Sequence, residues 1–112
     1  MSKILYIDDS KLEQLLNNDV SEIVIVDIRN PGEYSVEYID GSINLPLDEL
    51  LTANKNQFKD KVILFHCKGG VRTRANQHLL EAFASKESFC LEGGIDQWKS
   101  CGKPVKQPLY NQ

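Results

Sequence analysis

Three stretches of the chain are apolar at nearly every position: Ile23-Val24-Ile25-Val26, Val62-Ile63-Leu64-Phe65 and Phe89-Cys90-Leu91. A strand with one wet face alternates apolar and polar residues, so unbroken runs of this length predict strands buried on both faces. Leu5-Tyr6-Ile7 is a shorter apolar run, and Ser42-Ile43-Asn44-Leu45 predicts a short strand ended by Pro46. Helical spacing fills the gaps. Ser10-Lys11-Leu12-Glu13 has capping-box form, and Leu12, Leu15 and Leu16 make one stripe. Asn30-Pro31-Gly32 ends the first buried strand, and Leu47, Leu50 and Leu51 suggest a further helix. Thr73 can cap a helix running to about Ser85, with Ala75, Leu79, Ala82 and Phe83 inward. Gly93-Gly94 turns into a short helix carrying Trp98, and Gly102, Pro104 and Pro108 suggest an irregular tail.

Strands that alternate with helices and are apolar on both faces imply an α/β fold: a central, mainly parallel sheet with helices on both faces. The 112 residues give room for one domain, 1–112, with a core of about 5–105 and a tail of 106–112. In such sheets ligands sit outside the carboxyl ends of the strands. Cys67 comes after the second buried strand, at such an end.

Composition narrows the function classes. The net charge of −3 argues against nucleic acid as a partner, since a nucleic-acid binder carries a basic face. No apolar run approaches the ~20 residues needed to span a bilayer, so no membrane partner is expected. Asp8 and Asp9 come too early for a signal peptide, which favours the cytoplasm. Three cysteines, Cys67, Cys90 and Cys101, do not read as a disulfide framework. No pair has C-x2-C spacing, and His66 and His78 are not placed as a ligand pair, so neither a metal site nor a dithiol is expected.

The stretch that carries chemistry is Phe65-His66-Cys67-Lys68-Gly69-Gly70-Val71-Arg72-Thr73. Only about 3% of a free cysteine is thiolate at pH 7, and the thiolate is the nucleophile. Three features around Cys67 favour that form. Amides of the turn Lys68-Gly69-Gly70-Val71 can converge on the sulfur, because glycine permits the backbone angles. The helix after Arg72 presents its positive end, and Lys68 and Arg72 add two cations. The same cradle suits an anionic substrate. His66 faces the opposite side from its neighbour, His78 is a surface residue, Cys90 is core and Cys101 is exposed.

Four segments together resemble the rhodanese family of sulfurtransferases over about Leu5 to Val105. Val26-Asp27-Ile28-Arg29 with Glu33-Tyr34 resembles V-D-x-R…E-Y/F, and Gly41-Ser42-Ile43-Asn44-Leu45-Pro46 resembles G-A/S-x-N-x-P. Cys67 to Thr73 resembles the catalytic C-x-x-G-x-R-S/T loop. Leu91-Glu92-Gly93-Gly94 with Trp98, Gly102, Pro104 and Val105 resembles the terminal L-x-G-G…W…G-x-P-V. Two positions depart. Glu37-Tyr38 stands where the family often has Gly-His, and Gly69 where it often has Ser or Thr, whose hydroxyl can bond the substrate.

The resemblance implies that Cys67 attacks the outer sulfur of thiosulfate or a related anionic donor and becomes a persulfide. A thiophilic acceptor (cyanide, a thiol or a protein) then takes the sulfur, in two covalent steps with no cofactor. It assigns Arg72 to the catalytic loop as its brace, Lys68 to guiding the anion, and Gly69, Gly70, Val71 and Thr73 to holding the persulfide. Arg29 has two readings, a cation on the cleft rim or an ion-pair partner of Glu33. Two other roles compete. Phosphatases of the same fold carry C-x5-R, one residue longer than the loop here. Docking modules of the fold commonly lack the cysteine, and a persulfide relay to a protein partner lies between module and enzyme.

Overall fold

In the computed structural model the described residues are 4–18, 23–84 and 86–108. Five strands form the sheet: β1 Ile4–Ile7, β2 Ile23–Asp27, β3 Ile43–Asn44, β4 Val62–His66 and β5 Ser88–Leu91. Their spatial order is β1-β5-β4-β2-β3, and every pairing is parallel. The three apolar runs are therefore the three inner strands. β4 sits at the centre, with Phe65 beside Val26 on one side and Cys90 on the other.

The period of two along each strand divides the core into two layers. One face carries Val26, Ile63, Phe65 and Cys90, packed against Leu50, Phe58, Leu80 and Phe83. The other carries Ile25, Leu64 and Leu91, packed against Leu12, Ile39, Ile95 and Trp98. Helices α3 (Leu47–Leu50) and α5 (Gln77–Phe83) cover the first face, with a 3-10 turn at Lys55–Phe58. Helices α1 (Asp9–Asn18) and α6 (Gly94–Ser100) cover the second. Each large apolar side chain buried here contributes roughly 1.5–3 kcal/mol relative to exposure.

Local chemistry moved several helix boundaries. Helix α1 is capped by the Asp8 carboxylate, which accepts from the Lys11 amide at 2.8 Å, and not by a box opened at Ser10. The helix expected from Thr73 starts earlier and is split into α4 (Val71–Ala75) and α5. The break is Asn76, at φ −122° and ψ 26°, whose side-chain amide donates to the Arg72 carbonyl at 2.9 Å. That break rotates the second segment, so Leu80 and Phe83 point inward while Ala75 and Ala82 are exposed. Ser85, the expected end of that helix, lies outside the described residues.

The tail begins in an ordered way. Trp98 Nε1 donates to the Pro104 carbonyl at 2.7 Å, and Lys106 forms an antiparallel bridge with Tyr38. Residues 109–112 of the expected tail, and 1–3 at the other end, lie outside the described residues. No helix among the described residues is long and apolar enough to cross a membrane, and none of their His, Cys, Asp and Glu groups could hold a metal ion.

Candidate active site

Cys67 is the first residue after β4, at the carboxyl end of the central strand. Its side chain is buried, with 1% exposure. The Gly70 amide donates to Cys67 Sγ at 3.1 Å. To aim that amide back at the sulfur, Gly70 takes φ +96°, a conformation that side chains disfavour. Thr73 completes the turn. Its hydroxyl donates to the Gly70 carbonyl at 3.0 Å, so its proton is committed there, and Oγ1 lies 3.9 Å from Sγ, where it can accept from the thiol. Thr73 is wholly buried inside α4 instead of capping it.

The expected cradle is only partly drawn around the sulfur. Gly70 supplies the one amide on Sγ among the described residues, while Gly69, Val71 and Arg72 have amides without an acceptor among them. The positive helix end is also weaker than expected, because α4 is only five residues long. Val71 stands 77% exposed at the mouth.

The loop is held from below by α6. The Ile95 amide donates to the Cys67 carbonyl at 3.0 Å, and the Asp96 amide to the Lys68 carbonyl at 2.9 Å. This close approach explains Gly94. A Cβ there would stand 2.5 Å from the Cys67 carbonyl oxygen and 2.4 Å from that of Lys68. Gly94 also has φ +63°. The second glycine of Leu91-Glu92-Gly93-Gly94 is thus a requirement of backbone contact with the cysteine loop, whereas at Gly93 a Cβ would meet the Gln97 side chain at 2.5 Å.

The cations do not stand where their spacing suggested. Arg72 points away from the loop carbonyls and holds Glu33 through two hydrogen bonds of 2.8 and 2.9 Å. Its fork braces α2 (Pro31–Tyr34) against the loop instead of the loop against itself. The hydrogen bond from Arg72, more than any other cause, pulls the Glu33 carboxyl down to about 2, and Glu33 in turn raises Arg72. Arg29 is neither an exposed rim cation nor a partner of Glu33. It is 4% exposed, grips Asp27 with Nε and one terminal nitrogen at 2.8–3.0 Å, and donates to the Glu37 carbonyl at 2.7 Å. Lys68 is exposed and paired with Asp96 at 2.9 Å.

Asn44 explains the second motif segment. Its side-chain amide donates to the carbonyls of Asp27 at 3.0 Å and Arg29 at 2.9 Å, tying β3 to the loop after β2. His66 is the residue that spacing left out. Its imidazole is fully buried, with Nδ1 3.1 Å from the Cys67 carbonyl and Nε2 3.5 Å from Asp27 Oδ2. A carbonyl can only accept, so Nδ1 carries the proton and Nε2 is bare. Burial lowers its proton affinity and outweighs the nearby Asp27 charge, which raises it, while the Arg29 cation lowers it further. The contact with Asp27 is therefore one of proximity and not an ion pair. Only the register of β2 on β4, Asp27 beside His66, could reveal it. Of the other cysteines, Cys90 is buried and its thiol is pushed up to about 12, chiefly by burial, while Cys101 is exposed.

A family pattern described as the Rhodanese-like domain matches residues 8–101. The thiosulfate sulfurtransferase GlpE of Coxiella burnetii is 32% identical over 80 residues, 70% of this chain and 74% of that protein. The HTH-type transcriptional regulator Rv0324 of Mycobacterium tuberculosis is 28% identical over 99 residues, 88% of this chain but only 44% of the regulator's own length. The crystal structure of a rhodanese-related protein from Thermoplasma volcanium superposes with a TM-score of 0.77 at 28% identity, over 92% of this chain and 98% of that one. A parallel five-stranded sheet, a cysteine loop at the end of its central strand and a family pattern over residues 8–101 agree: the chain belongs to the rhodanese-like domain family.

Proposed function

We propose that the protein is a sulfurtransferase that moves sulfane sulfur from thiosulfate or a related donor to a thiophilic acceptor through a persulfide on Cys67. The observation that carries this reading is the Gly70 amide 3.1 Å from Sγ, in a loop at the carboxyl end of the central strand. A hydrogen bond to a charged acceptor is worth about 1.5–3 kcal/mol, so this amide stabilises both the attacking thiolate and the persulfide. The amides of Gly69, Val71 and Arg72, which have no acceptor among the described residues, are donors for the outer sulfur. Thr73 holds the Gly70 peptide, Arg72 holds Glu33 and so α2, and Arg29 organises the loop after β2 through Asp27. The relative named thiosulfate sulfurtransferase supports the same reading.

In the first step the Cys67 thiolate attacks the outer sulfur of thiosulfate. The Sγ–S bond forms, the S–S bond of the donor breaks, and sulfite leaves with the electron pair. An acceptor thiolate or cyanide then attacks the outer sulfur of the persulfide and regenerates the Cys67 thiolate. Mass spectrometry after thiosulfate treatment tests the reading. The expected result is a gain of one sulfur, about 32 Da, abolished in Cys67→Ala and reversed by dithiothreitol. No adduct with any of several sulfane donors would sink it and favour a docking module, a role open to this fold given its match within a transcriptional regulator. Phosphatase chemistry is disfavoured by four residues between Cys67 and Arg72 and by the engagement of Arg72 with Glu33. Hydrolysis of p-nitrophenyl phosphate should be negligible beside sulfur transfer.

A further inference from the structure

Each basic residue of the cysteine loop and of the helix after it carries an acidic partner. Lys68 pairs with Asp96, Arg72 with Glu33 and Arg74 with Glu92. The three acids come from three separate segments, α6, α2 and the turn after β5, so the pairing belongs to the folded mouth and not to one stretch of sequence. Asp96 lies beside the loop. Its Oδ2 lies 3.9 Å from where a Cβ on Gly69 would stand, which puts a carboxylate against the turn that receives the donor. The cations Lys68, Arg72 and Arg74 would by themselves favour a dianion; with their partners they sum to no net charge. Gly69 adds no hydroxyl to compensate.

We infer that Asp96 and Glu92 are specificity-determining residues, which turn the loop away from the thiosulfate dianion and toward organic sulfane donors that carry less negative charge. The inference rests on the sulfurtransferase reading and names the donor class for the same site. The chemistry is unchanged between donors. With an organic thiosulfonate, R–SO2–S⁻, the Cys67 thiolate takes the outer sulfur and the sulfinate R–SO2⁻ leaves with the electron pair, as sulfite does from thiosulfate. Only the charge that must enter the mouth differs, one unit against two. A unit charge about 10 Å away, well inside the Debye length at low salt, changes the encounter with a dianion roughly threefold to fivefold, and with a monoanion by about the square root of that.

The experiment is single-turnover persulfidation of Cys67, monitored as the mass gain of one sulfur, with thiosulfate and with methanethiosulfonate as the two donors. Asp96→Asn keeps the shape of the side chain and the backbone amide that holds Lys68, and Glu92→Gln is the independent second variant. Each should raise the second-order rate with thiosulfate about threefold to fivefold at low salt, and the rate with methanethiosulfonate only about twofold. The gain should shrink as ionic strength rises, while the parent protein shows little salt dependence with either donor. A thiosulfate-to-thiosulfonate ratio that stays the same in both variants, with Cys67 still persulfidated, would overturn the inference and leave the sulfurtransferase reading standing. No adduct from either donor in the parent protein or the variants would overturn the reading, and this inference with it.

Discussion

Arg72 and Glu33, 39 positions apart in sequence, are joined by two parallel hydrogen bonds of 2.8 and 2.9 Å. Glu33 is used twice, since Oε1 also accepts from the Asn30 amide to close the capping box of α2. One ion pair thus ties the loop after β2 to the loop after β4. Arg72→Ala should therefore lower both turnover and stability, the latter by about 1 kcal/mol for a partly exposed bidentate pair. Lys68→Ala removes an exposed point charge and should mainly raise the Michaelis constant for thiosulfate. Steady-state transfer to cyanide with a urea midpoint for each variant checks this. Equal effects in every parameter would show that Arg72 braces nothing.

His66 makes stability depend on pH. It is buried and faces Asp27, Arg29 and the Cys67 carbonyl, and its proton affinity in the fold is lowered below the ordinary value. The unfolded chain therefore binds the proton first as pH falls. Its contribution is fully present above the unfolded value of about 6.5 and declines below it, by at most about 1.4 kcal/mol per pH unit. Glu33, held at about 2, adds a separate loss that begins only as pH falls through the ordinary carboxylate range. Unfolding midpoints between pH 8 and pH 5 should fall in the parent protein and flatten in His66→Gln. Parallel curves would place the titrating group elsewhere.

Gly94 should be the most demanding of the site glycines. A methyl group there meets two backbone oxygens at 2.4 and 2.5 Å, and neither can move without releasing the cysteine loop from α6. Gly94→Ala should cost at least ~3 kcal/mol and slow persulfidation of Cys67. Gly102 is the control, with φ +80° but open space around it, so Gly102→Ala should cost only about 1 kcal/mol and leave Cys67 unaffected. Similar Tm losses in the two would mean that backbone conformation, and not the contact, sets the requirement.

Gly69 is free to accept a side chain. It lies outside the positive-φ glycines, and its added Cβ would have Asp96 Oδ2 as nearest neighbour at 3.9 Å. Gly69→Ser and Gly69→Ala should both keep stability within about 0.5 kcal/mol. Serine should raise kcat/KM for thiosulfate about tenfold if its hydroxyl bonds the donor in the transition state; alanine should not. Equal losses in both variants would show that the glycine serves its backbone and not the absence of a hydroxyl.

What the sequence determined by itself is what repeats at short range. Unbroken apolar runs marked the three inner strands, alternation with helices marked a parallel sheet, and Cys67 directly after Phe65-His66 fell at a strand's carboxyl end. These features come from side-chain periodicity and local turn chemistry, which a few neighbouring residues settle. The partners of the charged residues needed the fold. Arg72 found Glu33, Arg29 found Asp27, and Lys68 found Asp96. The helix after the loop began already at Val71, which moved Thr73 from an expected cap to a buried prop under Gly70, and it broke at Asn76. Long flexible side chains reach any opposite charge that topology brings near. Here β2, β4 and α6 bring those charges together across 28 to 39 positions for Lys68 and Arg72, a distance over which sequence spacing carries no information about contact.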